Sequence, residues 1–190
     1  MLRRFFGNGN FFQILLKYDV DLAEAERLKG CGECGERLHR ADYPRKPRGA
    51  WLGCDSFDCR RFSFCCVECR KRSTPPSFRF FGRRVYFGAV VVLISAMLYG
   101  ASPRRVRSLQ SICGADRRTL MRWRQWWLKV FPRTEVWRTV ADRLALVDPS
   151  LAAIPRLLLR SRVGSLWDQV IGVLRLLLPM VPLSRRGAPG

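Results

Sequence analysis

The sequence predicts a mainly α-helical protein that carries a small ribbon of short β-strands near its N-terminus and a helix-turn-helix at its core. Three observations predict this. Two Cys-x-x-Cys pairs bracket a stretch rich in Gly, Pro and Cys, too broken for a helix. Apolar residues recur at helical spacing over most of the remainder. A helix start, a glycine turn and a second helix start follow one another between residues 102 and 117.

Charge narrows the partners. The 190 residues hold 35 Lys and Arg against 15 Asp and Glu, a formal net charge of +20. Between Arg37 and Arg133 stand 22 basic and five acidic residues, so most of that excess is local. A cationic field of this size draws polyanions, nucleic acid first and anionic membrane surfaces second.

The N-terminal part, residues 1–30, is expected to contain a helix over 10–29, with Phe11, Ile14, Leu15, Tyr18 and Leu22 on one face and Gly30 ending it. Residues 31–74 are expected to form the ribbon. Cys31, Cys34, Cys66 and Cys69 place four thiolates on tight turns that can converge tetrahedrally on one Zn2+, with Gly32 and Gly35 allowing the close backbone. The opening residues have no secretory pattern, and the eight cysteines are expected to stay reduced. Cys65 adjoins Cys66 and could replace it, while Cys54 and Cys59 form a further pair that could bind a second ion. His39, the only histidine, is read as a surface or structural residue. A closed four-thiolate site is structural rather than catalytic. Phe62 and Phe64, at strand alternation, are expected to be the ribbon's core. Arg37, Arg40, Tyr43, Arg45, Lys46 and Arg48 interleave cations and rings, and the second knuckle runs into Arg70, Lys71 and Arg72, a mixture suited to phosphate contact and stacking.

Pro75–Pro76 is read as a boundary. Residues 82–131 then read as three helices forming the helix-turn-helix domain, and 133–146 as a fourth. Ser102 and Pro103 make a sharp helix start, and Val106, Leu109 and Ile112 a buried stripe. Gly114 supplies the turn and Asp116 caps the next helix. There Leu120, Trp123, Trp127 and Val130 form an apolar face. The opposite face bears Arg117, Arg118, Thr119, Arg122, Gln125 and Lys129. Arg can pair with guanine and Gln with adenine, while Arg104 and Arg105 hold phosphates. The partner so implied is double-stranded DNA, with no small-molecule substrate.

The apolar run Val85–Ala101 is at the lower edge of membrane-spanning length. It is read as the packed helix a helix-turn-helix needs behind it, a membrane anchor being the alternative. Residues 132–183 carry Leu-rich stretches, including Leu157, Leu158, Trp167, Val170, Leu174 and Leu177. These are expected to serve a homodimer or a recombinase partner through 150–183. Residues 184–190 read as a disordered tail, and no internal repeat is read along the chain.

On these residues the chain resembles transposase modules. Cys31–Arg72 resembles the zinc ribbon at the start of insertion-sequence transposases, and Ser102–Lys129, with its Arg117-Arg118-Thr119-Leu120-Met121-Arg122-Trp123 run, resembles a transposase or resolvase helix-turn-helix. The segments HRADYPRKPRG, RKRSTPPSFRFFGRRVYFGAVV and DRRTLMRWRQWW also resemble an uncharacterised bacterial family of helix-turn-helix or transposase-like proteins. The resemblance implies a DNA-binding protein of mobile-element origin, in the bacterial cytoplasm at the nucleoid. After Phe131, however, only Glu135, Asp142, Asp148 and Asp168 remain as acids, too few and too short a chain for the nuclease of such enzymes. The expectation is a non-catalytic DNA binder, with a zinc-ribbon protein adaptor as the alternative.

Overall fold

The structure is a computed structural model that describes residues 9–45, 60–80, 102–113, 116–143 and 163–178. Helix α1 (Gly9–Lys29) leads into a set of short strands, β1 (Leu38–Arg40), β2 (Tyr43–Pro44), β3 (Arg60–Arg61), β4 (Phe64–Cys66) and β5 (Arg72–Ser73). The helices α2 (Pro103–Cys113), α3 (Arg117–Gln125), α4 (Glu135–Arg143) and α5 (Leu166–Leu177) follow. The described chain is therefore mainly α with a small antiparallel sheet, as expected. Cys54, Cys59, the run 85–101, Gly114, Leu157, Leu158 and the tail 184–190 lie outside the described residues, as do the side chains of Phe11, Ile112 and Trp167.

The strands pair as β1–β4–β5 and, separately, β2–β3, all antiparallel. In the larger sheet Leu38 faces Cys66, His39 faces Cys65 and Cys65 faces Arg72. Alternation along β4 sends Phe64 and Cys66 inward and leaves Cys65 on the outer side, half-exposed. Phe62, Phe64, Leu38, Cys31 and Cys66 make the core of this region, and Ala23 of α1 is buried with them. The ribbon and α1 thus share one core, across the division expected between residues 30 and 31. The reason is size: strands of two and three residues bury too little apolar surface unaided.

Helix α1 was expected to turn Ile14, Leu15, Tyr18 and Leu22 inward. Its deepest positions are instead Leu15, Asp19 and Ala23, four apart, with the other three only half-buried. Asp19 is 1% exposed, and so is Arg79, whose Nε donates to its carboxylate at 2.7 Å. The Ser77 hydroxyl and the Phe78 amide also donate to Asp19. Arg79 is completed by the Arg60 carbonyl and lies over the rings of Phe62 and Phe80, 5.0 and 4.9 Å from their centroids. Every polar group of the pair is satisfied, the condition for burying charge. Pro75–Pro76 is accordingly no boundary. Pro75 is fully buried, its carbonyl accepts from buried Arg61, and Phe78 and Phe80 are core residues.

In the second half, Ser102 caps α2 as expected, its hydroxyl accepting from the Arg105 amide, and Val106 and Leu109 are buried. Helix α3 begins at Asp116, whose carboxylate accepts from the Thr119 amide at 2.8 Å. It runs on through a widened π-helical turn, Trp126–Val130, and a 3-10 turn, Phe131–Arg133. The widened turn corrects the expected apolar face. Leu120, Trp123 and Trp127 are buried, but Val130 is 49% exposed and Phe131 takes the inward place. Trp127 and Phe131 meet edge to face with centroids 4.5 Å apart, and Trp137 of α4 packs on Phe131 at 5.7 Å. Val170, Ile171, Val173 and Leu177 of α5 are buried within the chain, with Leu174 half-buried. Arg175 of the same helix reaches the Tyr18 ring, 5.6 Å from its centroid. Of the residues expected to mediate dimerisation, Val170 and Leu177 are therefore covered within the chain. Among the described residues no helix is long and apolar enough to cross a membrane.

Candidate metal centre and nucleic-acid interface

The first knuckle starts where α1 stops. Gly30 takes φ +75°, and a Cβ there would lie 2.6 Å from the Gly35 carbonyl oxygen, so only glycine fits. Gly35, at φ +78°, closes the turn, whereas Gly32 is neither left-handed nor crowded, contrary to the role expected for it. The Cys31 amide donates to the Glu36 carbonyl at 2.8 Å. The second knuckle repeats this device, the Cys66 amide donating to the Lys71 carbonyl at 3.0 Å. In register, Cys31-Gly-Glu-Cys34-Gly35-Glu36-Arg37 matches Cys66-Val-Glu-Cys69-Arg70-Lys71-Arg72. This is an internal repeat of seven residues, too short to stand out without the paired hydrogen bonds.

The two knuckles bring Cys31, Cys34, Cys66 and Cys69 together, with all four sulfurs within 4.8 Å of one another. Cys31 and Cys69 Sγ are 3.5 Å apart, and Cys34 and Cys66 Sγ 3.4 Å. A tetrahedron with metal–sulfur bonds of about 2.3 Å has edges of about 3.8 Å, so a metal ion could be held with shifts of up to about 1 Å. Backbone amides of Cys34 and Glu33 face the Cys31 sulfur and, with the neighbouring thiols, bring it down to about 6. The Lys71 amide favours the Cys69 thiolate, but burial and the adjacent thiols outweigh it and push Cys69 up to about 12. Cys34 and Cys69 thus hold on to their protons until a cation compensates the charge of the cluster. Cys65 is not in the group. Its Sγ donates to the Arg70 and Cys66 carbonyls, on the other side of β4. His39, exposed beside it on β1, is likewise no member.

The expected nucleic-acid contacts sort by exposure. Arg117, Arg118, Arg122, Gln125 and Lys129 are exposed on the side of α3 away from Leu120, Trp123 and Trp127. Thr119 is committed to the cap: its hydroxyl donates to Asp116 and accepts from Arg122. Arg104 is exposed and Arg105 half-buried at the start of α2. On the ribbon, Arg70, Lys71 and Arg72 are exposed, with Lys71 paired to Glu33 at 2.9 Å, which holds its ammonium above the usual lysine range. The Tyr43 ring carries two guanidinium groups, Arg45 at 4.8 Å and Arg72 at 5.8 Å.

One feature of α3 was not anticipated. A shallow open groove of about 470 Å3 runs along its outer face, floored by Met121, Trp126 and Val130 and edged by Arg118, Arg122, Gln125 and Lys129. The widened turn creates it by leaving Val130 outside. The adjacent tryptophans, Trp126 and Trp127, were the available signal, since two neighbouring helix residues cannot both face the core.

Compared with known proteins, the chain matches no family model, no curated protein and no solved structure. The functional reading therefore rests on the residues and their placement.

Proposed function

We propose that the protein is a non-catalytic binder of double-stranded DNA, of mobile-element origin, that holds one structural Zn2+ at Cys31, Cys34, Cys66 and Cys69. The observation that carries this reading is the outer face of α3. Arg117, Arg118, Arg122, Gln125 and Lys129 share it, and from Arg117 to Arg133 the chain has no acidic residue. A helix entered through the capping Asp116, with α2 before it, presents Arg117 and Arg118 in its first turn, as a major-groove reading helix does. Arg104, Arg105, Arg70 and Arg72 add phosphate contacts, and Thr119 orients Arg122 rather than reading a base.

Zinc is the metal of choice because four thiolates form a soft, closed, tetrahedral set. With no open coordination position and no clustered carboxylates among the described residues, the residues offer binding and not chemistry. A homodimer or a recombinase partner would double the site.

The test is a gel shift of the zinc-loaded chain on duplex DNA across a salt series. Affinity is expected to fall steeply as salt rises, and Arg117→Ala with Arg122→Ala is expected to weaken binding at least tenfold, on the order of 1–3 kcal/mol per base contact. Absence of binding at low salt, or indifference to the double substitution, refutes the reading.

The apolar floor of the α3 groove favours a second reading, a zinc-ribbon adaptor that docks a protein segment. It is preferred if Met121→Ala with Val130→Ala leaves DNA affinity unchanged and abolishes a stable protein complex.

A further inference from the structure

The two knuckles have the same fold and opposite electrical character. After its second cysteine the first carries Gly35, Glu36 and Arg37; the second carries Arg70, Lys71 and Arg72. Gly35 adopts φ +78°, where glycine is at ease. Arg70 adopts φ +60° at the equivalent place, and it is the only non-glycine in the left-handed region among the described residues. Glycine would serve that turn with less strain, as the sister knuckle demonstrates. A strained residue kept where an unstrained one fits is a mark of use, and the Arg70 side chain is exposed.

The surroundings say what kind of use. Lys71 is held by Glu33 of the first knuckle, so it is the cation of the three already matched. Among the described residues no carboxylate pairs with Arg70, Arg72 or Arg45. Arg72 and Arg45 instead flank the Tyr43 ring, which holds two like charges near each other on one side of the ribbon. Like charges with no carboxylate paired to them among the described residues suit a polyanion.

We infer that the second knuckle is the ribbon's phosphate-gripping end: Arg70 contacts a backbone phosphate of the bound nucleic acid, and Arg72 with Arg45 and Tyr43 continues that contact, while the first knuckle makes none. This rests on the proposed DNA-binding reading and adds an orientation to it.

The experiment compares the zinc-loaded wild type with Arg70→Gly, with Arg70→Asn as a second left-handed-tolerant variant, and with the exchange Gly35→Arg plus Arg70→Gly. A Cβ at Gly35 meets nothing within 4 Å, so the exchange preserves net charge, knuckle geometry and the number of strained residues. Metal content is measured for each. The probe is a short mixed-sequence DNA duplex, titrated between roughly 50 and 200 mM salt. Loss of one phosphate contact lowers the slope of log K against log salt by about 0.9 and the affinity about five- to tenfold near 0.1 M salt. Both single variants are expected to show this, and the exchange is expected to stay as weak as Arg70→Gly. If the exchange restores wild-type affinity, or if neither single variant alters the slope, the knuckle assignment is overturned while DNA binding stands. If the wild type itself does not bind the duplex, both the assignment and the reading it rests on fall.

Discussion

At the scale of single residues, two side chains in the described structure behave unlike their types. Asp19 and Arg79 are both 1% exposed. Asp19→Ala leaves a buried guanidinium without its carboxylate, and the expected loss of unfolding free energy is about 3–5 kcal/mol, read from denaturant midpoints. Asp19→Leu combined with Arg79→Met is expected to recover only part of that loss, because the apolar pair removes the buried charge but leaves the Ser77 hydroxyl and the Phe78 amide without an acceptor. Arg70 offers the opposite case. Relief of its left-handed backbone makes Arg70→Gly more stable by about 0.5–1 kcal/mol, a gain that a thermal melt of the zinc-loaded protein detects. Sequence reading did not find the Asp19 pair. An acid within an apolar stripe looks like a solvent-facing residue until its partner, 60 positions away, is known to return to it.

At the scale of elements, helix α3 shows how a local change of pitch redistributes a face. Trp127→Ala empties the centre of the Trp126–Phe131–Trp137 cluster and is expected to cost about 3–5 kcal/mol. Val130→Ala, at a half-exposed position, is expected to fall within about 0.5 kcal/mol of wild type. Comparable losses at the two positions, measured by the same melt, are inconsistent with the widened turn. The caps of this half of the chain respond to pH in a defined direction. The Thr119 amide and hydroxyl hold Asp116 below the usual aspartate range, and the Ser165 hydroxyl and amide do the same for Asp168 at the start of α5. A depressed folded-state value stabilises above the unfolded-state pKa, so both caps are intact at neutral pH. Their contribution is lost as acid takes the pH through the folded-state values, below about 4. The Thr119 amide resonance is expected to titrate in that range in the wild type and not in Asp116→Asn. Caps of this kind were legible in the sequence because Asp116 and Ser102 act on amides two or three residues away. The extra residue per turn at Trp126–Val130 was not, since it answers to the packing of Phe131 against a later helix.

At the scale of the whole molecule, the metal site and α1 belong to one core, since Cys31 and Cys66 are buried with Ala23, Leu38, Phe62 and Phe64. Removing the metal should therefore unfold more than the knuckles. With a chelator, amides along α1 are expected to lose protection from hydrogen exchange together with those of β1 and β4, while amides of α3 around Trp127 keep theirs. Retention of α1 protection in the metal-free chain refutes this coupling. That Cys31, Cys34, Cys66 and Cys69 could meet at one ion was legible from their spacing, with Cys65 open as an alternate to Cys66 until the geometry placed it on the other side of β4. The extent of the unit they stabilise was not, because it depends on residues 75–80 folding back under α1, and two prolines there read as an ending.

That return has a consequence for synthesis. A chain leaving the ribosome presents Asp19 early, and its carboxylate has no buried partner until Arg79 follows 60 residues later. Cys69, the last of the four ligand positions, emerges ten residues before Arg79. A nascent chain can thus capture its ion and close the knuckles first, then seal α1 against them when Arg79 arrives. The order in which the sequence is written thereby allows metal capture before the locking of the N-terminal helix.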